Sequence, residues 1–412
     1  MTQTALPPFD FDVSFHDGNP YPDYARYRAL EPVHVIPPDQ RRKDEAQTDQ
    51  VLLFRHADVM AALRDNRFGR EHGGDPSAPP DTSESFRAMA HHFMLFRDPP
   101  VHTRLRGVAN LAFTPRQVDR MRPHIEAIAA ALIDDMRESG NEVDLIAQFA
   151  FPLPMLVIAG TIGIPQEDFR LFRRVAGDIA AAIDVPTEGL QEFVARVDQS
   201  TAELIAYLRD LIAERRANPQ DDLLTSMIQA ESAEGKLNER ELLATCILLI
   251  VAGHETTVNL IGNGMLAFMR HRDQWQALVD DPSLARNATE EALRYDAPVQ
   301  FTSRYLKEPV EIGGKSLPAG SWVNMMLGSA NRDDTVFPDP DRFDIRRDMG
   351  RIMSLGMGIH FCLGAPLARL EGEIAFASLA RAFPNLTLAT DTVRWRPGAV
   401  FHGLQELPLR HS

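Results

Sequence analysis

A cysteine among glycines gives the clearest chemical signal in the sequence. Cys362 lies in the stretch LGMGIHFCLG, which contains three glycines, and a helical pattern follows it directly. Backbone N–H groups in a glycine-rich turn can donate hydrogen bonds to a thiolate, and the N-terminus of a helix favours an anion. Cys362 is therefore a candidate metal ligand or nucleophile. The other cysteine, Cys246, lies in the apolar run ATCILLIVA and is interpreted as a core residue.

A second signal is the polar stretch GHETT, which begins at Gly253 in the middle of the longest predicted helix, 238–270. Glycine and adjacent threonines lower helix stability, and a buried carboxylate needs a partner or water. One interpretation is a solvent-facing notch. The other is a helix opened beside a ligand, where Gly253 lets a flat group approach and where Glu255 and Thr256 deliver protons.

Two sets of charged residues also have both a structural and a functional interpretation. Glu291 and Arg294 lie three apart in a helical pattern and share a face, although most such pairs are exposed. His102 and Arg106 follow a double proline, and Arg304 stands alone between uncharged residues. These cations are either solvated surface charge or donors to an acidic ligand, because arginine binds carboxylates in a bidentate geometry.

Helical periodicity dominates the elements that must position these residues. Apolar residues recur at three- and four-residue spacing in several segments. The predicted helices, besides the long one, are 123–136, 193–215 and one or two over 273–295. Strands are predicted at 51–54 and, as a hairpin around two glycines, from 310–312 onward. The expected fold class is mainly α with a minor β portion. Asn238 followed by Glu241 predicts a capping box at the start of the long helix.

Composition and charge narrow the classes of protein. The 412 residues contain no linker or repeat, so one domain over 1–412 is expected, with its β-rich part mainly near the N-terminus. The net charge of −15 argues against nucleic-acid binding. With no secretory signal and no apolar run long enough for a span, a cytoplasmic protein without membrane insertion is expected. The Pro- and Asp-rich segment 75–82 is interpreted as a surface loop.

Three motifs, in this order, resemble those of the cytochrome P450 family. AGHETT at 252–257 is similar to A/G-G-x-D/E-T, EALR at 291–294 to ExxR, and LGMGIHFCLG to the haem loop FGxGxHxCxG. The resemblance covers nearly the whole chain and is strongest to soluble bacterial members of the biotin-biosynthesis and macrolide-hydroxylase types. It implies the P450 fold, in which a long central helix crosses over the haem.

The resemblance also implies roles for individual residues. Cys362 would be the axial thiolate ligand of haem b (iron protoporphyrin IX). Thr256 would hydrogen-bond the co-substrate dioxygen, and Glu255 would relay protons to it. Contacts with the haem ring or its propionates are implied for His102, Arg106, Ala252, Gly253, Thr256, Arg304, Gly356, His360, Gly364 and Ala368. A buried structural triad is implied for Glu291, Arg294 and Arg342.

The implied activity is insertion of one oxygen atom into a C–H or C=C bond of a fatty acid, terpenoid, steroid or macrolide. The substrate wall implied by the resemblance comprises Met94, Val251, Val299, Thr302, Val400 and Phe401. Electrons would come from a ferredoxin or flavodoxin with an NAD(P)H-dependent reductase, since no flavin- or nicotinamide-binding segment is found. Arg346, Arg347 and Arg351 are either part of its docking patch or a solvated face. A monomer is expected.

Leu355 is a departure from the family, which has an aromatic residue at this position, so the packing under the haem is expected to differ. Alternative functions are a haem-thiolate peroxygenase or isomerase and a non-enzymatic haem-binding sensor. Glu255 and Thr256 argue against both, because neither needs an acid–alcohol pair. A cysteine hydrolase would need a His–Asp/Asn partner set, of which only His360 lies near Cys362 in sequence.

Overall fold

The computed structural model describes residues 6–40, 48–71, 84–110, 113–165, 168–182, 190–230 and 235–411; the loop predicted at 75–82 lies outside them. The α-helices in this part of the chain are α1 (Phe11–Phe15), α2 (Tyr21–Leu30), α3 (His56–Arg64), α4 (Glu84–Ala90), α5 (Val101–Asn110), α6 (Pro115–Glu138), α7 (Pro152–Ile162), α8 (Phe169–Ala181), α9 (Leu190–Ala217), α10 (Leu223–Gln229), α11 (Glu239–Arg270), α12 (Arg272–Asp280), α13 (Ala285–Tyr295), α14 (Leu327–Ala330) and α15 (Ala365–Ala382). The strands are β1 (Val33–Ile36), β2 (Gln50–Leu53), β3 (Phe68–Gly69), β4 (Glu142–Asp144), β5 (Phe301–Leu306), β6 (Val310–Ile312), β7 (Lys315–Leu317), β8 (Trp322–Met326), β9 (Thr387–Leu388) and β10 (Pro408–Arg410).

Helix α11 is the axis of the helical part and packs against α7, α8, α9, α13 and α15. Its start is a capping box, as predicted: Glu241 N–H donates to Asn238 Oδ1 at 3.0 Å, and Asn238 N–H donates to Glu241 Oε2 at 2.9 Å. The helix is long and apolar enough to cross a membrane, but most of it is buried inside the protein, as in the core helix of a globular fold.

The other predicted helices are present and extend further than predicted. Segment 123–136 lies within α6, 193–215 lies within α9, and 273–295 divides into α12 and α13. Helix α6 begins earlier because the Thr114 hydroxyl accepts from Gln117 N–H and Pro115 occupies the first helical position, where its missing N–H costs nothing.

A five-stranded sheet of order β1-β2-β8-β5-β3 flanks the helices. Strands β2 and β8 are parallel, and the other pairs are antiparallel. Strand β2 covers most of the predicted 51–54, and β6 pairs with β7 around the two glycines as predicted. Strands β4, β10 and β9 form a second sheet. The first sheet joins N-terminal strands to β5, and β5 carries Thr302 and Arg304 to the site.

Candidate active site

A cavity of about 1880 Å³ lies between α5, α11, β5, the 353–364 loop and α15. It brings together side chains from segments far apart in the sequence. The predicted cofactor-binding residues that line it are His102, Arg106, Ala252, Gly253, Thr256, Arg304, Gly356, His360, Cys362, Gly364 and Ala368. The structure therefore brings this whole set together around one cavity, and the roles of these residues stay predictions.

The 353–364 loop presents Cys362 to the cavity. Gly358 has φ +71°, and a side chain there would also overlap the Leu63 carbonyl, so the turn requires glycine. Burial raises the pKa of the Cys362 thiol, whereas the N–H groups of Gly364 and Ala365 and the charge of Arg106 oppose that rise. Those N–H groups belong to the turn that starts α15, and they would stabilise a thiolate bound to a metal.

The middle of α11 forms another wall, through Leu248, Ala252, Gly253 and Thr256. The helix Glu239–Arg270 is continuous through this stretch, so it is not interrupted at GHETT. The Thr256 hydroxyl instead donates to the Ala252 carbonyl at 2.8 Å. This back-bonding satisfies the hydroxyl inside a continuous helix.

The prediction that Val251 belongs to the substrate wall is wrong. Its side chain is buried in the core and does not line the cavity. Successive helical positions are about 100° apart. The face that carries Leu248, Ala252 and Thr256 therefore turns Val251 away from the cavity.

Glu255 lies behind this wall and is 2% exposed. Arg396 forms an ion pair with it, and Asn259 Nδ2 donates to Glu255 Oε1 at 3.4 Å. Arg396 was not predicted from the sequence; it follows a tryptophan in the C-terminal region. A buried carboxylate in α11 requires a cation, but nothing in the sequence identified this one.

One edge of the cavity is rich in arginine and histidine side chains, and some of their nitrogen atoms have no hydrogen-bond partner among the described residues. The His102 and His360 rings lie 4.3 Å apart, and the Nε2 atom of each is buried without a hydrogen-bond partner. Burial, with the nearby charge of Arg106, lowers the pKa of His102 to about 4, and burial lowers the pKa of Arg304 to about 10. The two Nε2 atoms have no partner in the part of the chain that the structure describes, so a polar ligand group in the cavity would satisfy them.

Arg70 belongs to the same edge and was also missed from the sequence. Its Nη2 donates to the Thr302 hydroxyl at 2.9 Å, and Arg304 Nη1 donates to that hydroxyl at 3.1 Å. Arg70 Nε is buried without a partner, and burial together with the charge of Arg304 lowers the Arg70 pKa. Two guanidinium groups sharing one neutral oxygen are a further sign of an anion-binding edge.

Comparison with known proteins identifies the family. The cytochrome P450 model matches residues 169–281 and 278–395. The 6-deoxyerythronolide B hydroxylase of Saccharopolyspora erythraea is 42% identical over 421 residues, with 99% of each chain covered. The biotin biosynthesis cytochrome P450 of Bacillus subtilis is 35% identical, with 95% of this chain and 96% of that one covered. The chain belongs to the cytochrome P450 family.

A solved structure agrees with this assignment. The polyketide synthase cytochrome P450 PksS of Bacillus subtilis superposes with a TM-score of 0.87 at 38% identity, covering 98% of this chain and 100% of the other. The predicted fold is confirmed, and so is the predicted activity: the protein is a haem-thiolate monooxygenase that uses haem b and dioxygen to oxidise a hydrophobic small molecule. As in other P450s, its electrons come from a redox partner.

The residues around the cavity fit a haem. The partnerless nitrogen atoms of His102, His360 and Arg70 match the need of two propionates for donors. Cys362 lines the same cavity as Gly253, which has no side chain on the α11 wall. An apolar lining with one cationic edge is the environment that a flat, apolar ring with two acidic groups requires.

The ExxR motif of this P450 forms a buried network. Glu291 and Arg294 are completely buried, and Arg294 donates Nε and Nη2 hydrogen bonds to Glu291 at 2.7 and 2.8 Å. The remaining Arg294 donors reach the carbonyls of Asn331, Pro340 and Arg342. This network lies between α13 and the segment that precedes the cysteine loop.

The prediction that the Arg342 side chain completes this network is wrong. That side chain is 63% exposed and lies 3.9 Å from Asp344, whereas Arg347 is 10% exposed and contacts Glu291 at 3.4 Å. Arg342 contributes its backbone carbonyl, which accepts from both Arg294 and Arg347. Because the Arg347 side chain is mostly buried in this network, it is not available for the predicted docking patch. Arg346 and Arg351 are exposed.

The other predicted wall residues do line the P450 cavity. They are Met94, Val299, Thr302, Val400 and Phe401. Val299 and Phe401 form an isolated antiparallel bridge, which brings the C-terminal region against the segment before β5. Leu355 also lines the cavity, and its carbonyl accepts from Cys362 N–H at 2.9 Å.

Proposed function

We propose that Cys362 is the axial thiolate ligand of the haem and that Glu255 and Thr256 deliver protons during oxidation of an apolar C–H or C=C bond. The observation that carries this proposal is that Cys362, Thr256 and Arg396 line one cavity and that Arg396 forms an ion pair with the buried Glu255. His102, Arg106, Arg304 and His360 would bind the propionates, with Arg70 as a further donor. When bound, the haem supplies the iron at which dioxygen is activated.

The side chains of this chain hold and move the protons. The Thr256 hydroxyl donates to the Ala252 carbonyl, and rotation about its Cβ–Oγ bond would redirect the O–H group toward the cavity. Glu255 lies one residue before it and forms an ion pair with Arg396. A carboxylate accepts a proton from water and passes it on, so the pair forms an acid–alcohol relay. The apolar wall excludes bulk water from the substrate side.

The thiolate assignment is tested by the spectrum of the reduced CO complex. Cys362→Ser should abolish the thiolate-type band, because a hydroxyl is a much weaker donor to iron. Cys246→Ser is the matched control: Cys246 is buried in α11, and burial raises its pKa to about 12. A thiolate-type band that survives in Cys362→Ser would overturn the assignment.

The relay is tested by the products of dioxygen reduction, using a plant-type ferredoxin and its NADPH-dependent reductase. Thr256→Ala should keep the haem and the thiolate-type spectrum but divert electrons to hydrogen peroxide by several fold. Thr245→Ala is the control, since that hydroxyl back-bonds to the Glu241 carbonyl in the same helix but away from the cavity. Equal peroxide release from wild type and Thr256→Ala would contradict the role.

The proposed substrate is a fatty acid, terpenoid, steroid or macrolide. The support is the apolar wall around Met94, Val299, Val400 and Phe401 and the size of the cavity. A panel of myristic acid, testosterone, a sesquiterpene and 6-deoxyerythronolide B, screened for the spin-state shift of the haem band, distinguishes these classes. Product formation is then measured for the compound that gives the largest spin-state shift.

The proposed electron donor is a ferredoxin or flavodoxin with an NAD(P)H-dependent reductase. We also propose that the protein is cytoplasmic, monomeric and built as one domain. Arg346 and Arg351 are exposed close to the cysteine loop and are the cations we propose for docking. Charge reversal of both should slow reduction by the ferredoxin, with the steepest loss at low salt. Arg342→Glu is the control, because it also reverses the charge of an exposed arginine.

A further inference from the structure

Three buried polar side chains form a stripe along helix α11. Glu255, Asn259 and Asn263 follow one another at four-residue spacing and therefore share one face. They are 2%, 1% and 2% exposed. Buried polar groups at this spacing need a polar partner along the whole face.

That partner is a hairpin formed by residues 394–405. Arg396 N–H donates to the Gly403 carbonyl at 2.9 Å, Gln405 N–H donates to the Arg394 carbonyl at 2.8 Å, and Trp395 bridges Leu404. The tip of the hairpin carries Val400 and Phe401, which line the substrate side of the cavity.

Each member of the stripe contacts this hairpin 394–405. Glu255 pairs with Arg396, and Asn263 Nδ2 donates to the His402 carbonyl at 2.9 Å. Gly403 lies so close to Asn259 that any side chain at 403 would overlap the amide. The hairpin is therefore fixed on α11 at three successive turns of the helix.

His402 holds the hairpin together internally and also attaches it to the residue that follows α13. His402 stacks on Trp395 at 4.2 Å with an interplanar angle of 14°, and its Nδ1 lies 2.8 Å from Asp296 Oδ1. The same hairpin therefore carries both the wall residue Phe401 and the guanidinium of Arg396.

Arg396 differs from Glu255 in where it points. Its side chain is 34% exposed and lines the cavity, whereas Glu255 is buried and does not. The guanidinium of Arg396 therefore connects the buried carboxylate of Glu255 with the cavity. A charge-assisted hydrogen bond is strong enough to hold one orientation of a buried carboxylate.

We propose that Arg396 is the positioning residue of Glu255, and that the hairpin 394–405 couples the substrate wall at Phe401 to proton delivery. This inference rests on the proposed role of Glu255. It means that a molecule pressing on the hairpin tip changes the position of the acid as well as filling the cavity.

The first test measures how dioxygen is reduced in the holoprotein without substrate, with NADPH, a plant-type ferredoxin and its reductase. Two electrons and two protons convert dioxygen into hydrogen peroxide, and four of each convert it into two waters. Arg396→Gln should lower the water-to-peroxide ratio at least threefold and raise the solvent deuterium isotope effect on NADPH oxidation. Arg396→Lys, which keeps the charge, should restore part of the ratio.

Arg394→Gln is the matched control, because Arg394 lies in the same hairpin but pairs with Glu406 on the surface. Its ratio should equal that of the wild type. In a Glu255→Gln background, Arg396→Gln should cause no further loss. A normal ratio in Arg396→Gln, or a loss that simply adds to that of Glu255→Gln, overturns the positioning role.

The coupling is tested with Phe401→Ala, which alters the tip without touching the ion pair. The ratio should fall about twofold, and this fall should disappear in the Arg396→Gln background. Independent, additive effects would overturn the coupling. If Glu255→Gln itself leaves the ratio unchanged, the proposed relay fails; if Glu255→Gln lowers it and Arg396→Gln does not, only the present inference fails.

Discussion

Two buried arginines, Arg294 and Arg304, have the same charge in opposite surroundings. Arg294 is completely buried, and its five N–H donors reach Glu291 and three backbone carbonyls. Arg304 is 5% exposed, and the acceptors of its Nη1 are the uncharged oxygens of Thr302 and Ser303. Among the described residues, no ion pair to Arg304 is found.

The difference separates scaffold from binding site. A buried cation whose donors are all satisfied within the chain stabilises the fold and is available to nothing else. A buried cation facing a cavity with only neutral acceptors is costly until an anion binds. Arg294, in the network that precedes the cysteine loop, is a cation satisfied within the chain. Arg304, at the cationic edge of the cavity, is a cation that faces neutral acceptors.

The largest expected effect is that of Arg294→Ala. It leaves Glu291 buried without its main partner and frees the carbonyls of Asn331 and Pro340. Removing one partner of a buried pair costs about 3–5 kcal/mol, a large part of the stability of most proteins. We expect little folded holoprotein, measured by haem incorporation and urea unfolding. Normal incorporation would show that the network is not part of the scaffold.

The next effect concerns Glu371, a buried acid that lines the cavity and has no cation partner among the described residues. Burial raises its pKa to about 8, partly opposed by the hydrogen bond with Thr257. The unfolded state releases this proton near pH 4.5 and the folded state near pH 8, so stability falls as pH rises between these values. Glu371→Gln removes that fall.

The gain of Glu371→Gln over wild type should be near zero at pH 4.5 and grow to at most about 5 kcal/mol at pH 8. Urea unfolding of the holoprotein at several pH values measures it. Glu373→Gln is the control, since Glu373 is partly exposed and paired with Arg122. A gain that does not change with pH would contradict the raised pKa.

Arg304→Gln should separate ligand binding from stability. Because no ion pair to Arg304 is found among the described residues, we expect a change in apoprotein stability below about 1 kcal/mol. Haem transfer to apomyoglobin should nevertheless become about tenfold faster, since a propionate loses a charge-assisted hydrogen bond. Unchanged haem transfer together with a large loss of stability would place Arg304 with Arg294 in the scaffold.

The smallest effects distinguish the two arginines after the ExxR motif. Arg347→Gln should cost about 1–2 kcal/mol, because Arg347 is mostly buried and donates to Glu291 and to the carbonyls of Pro338 and Asp339. Arg342→Gln should stay within about 0.5 kcal/mol, as expected for an exposed side chain. Parallel urea unfolding of the two variants gives the comparison, and the reverse order would restore Arg342 to the network.

Features fixed by short sequence spacing could be predicted. The capping box of Asn238 and Glu241 and the pairing of Glu291 with Arg294 each depend on residues three apart in one helix, and the structure has both. The motifs located Cys362, Thr256 and the cations of the cavity edge, because the family resemblance supplied the long-range contacts.

Features that depend on the path of an irregular segment could not be predicted. Which of Arg342 and Arg347 turns inward depends on a proline-rich loop in which Asp339 has φ +48°. Arg70 and Arg396 come from segments without a motif, and they reach the site only because β3 pairs with β5 and the hairpin 394–405 packs on α11. Val251 was misplaced because adjacent helical residues face different directions.

Gly403 has a consequence for anyone who redesigns this enzyme. Libraries that change substrate scope vary wall positions such as Val400 and Phe401, three and two residues before it. A side chain introduced at position 403 would overlap the Asn259 amide and displace the hairpin from α11. With the proposed coupling, a library that includes position 403 would change both the substrate selectivity and the fraction of NADPH that is oxidised without forming product. Keeping Gly403 fixed, and scoring NADPH consumed per product alongside conversion, separates the two outcomes.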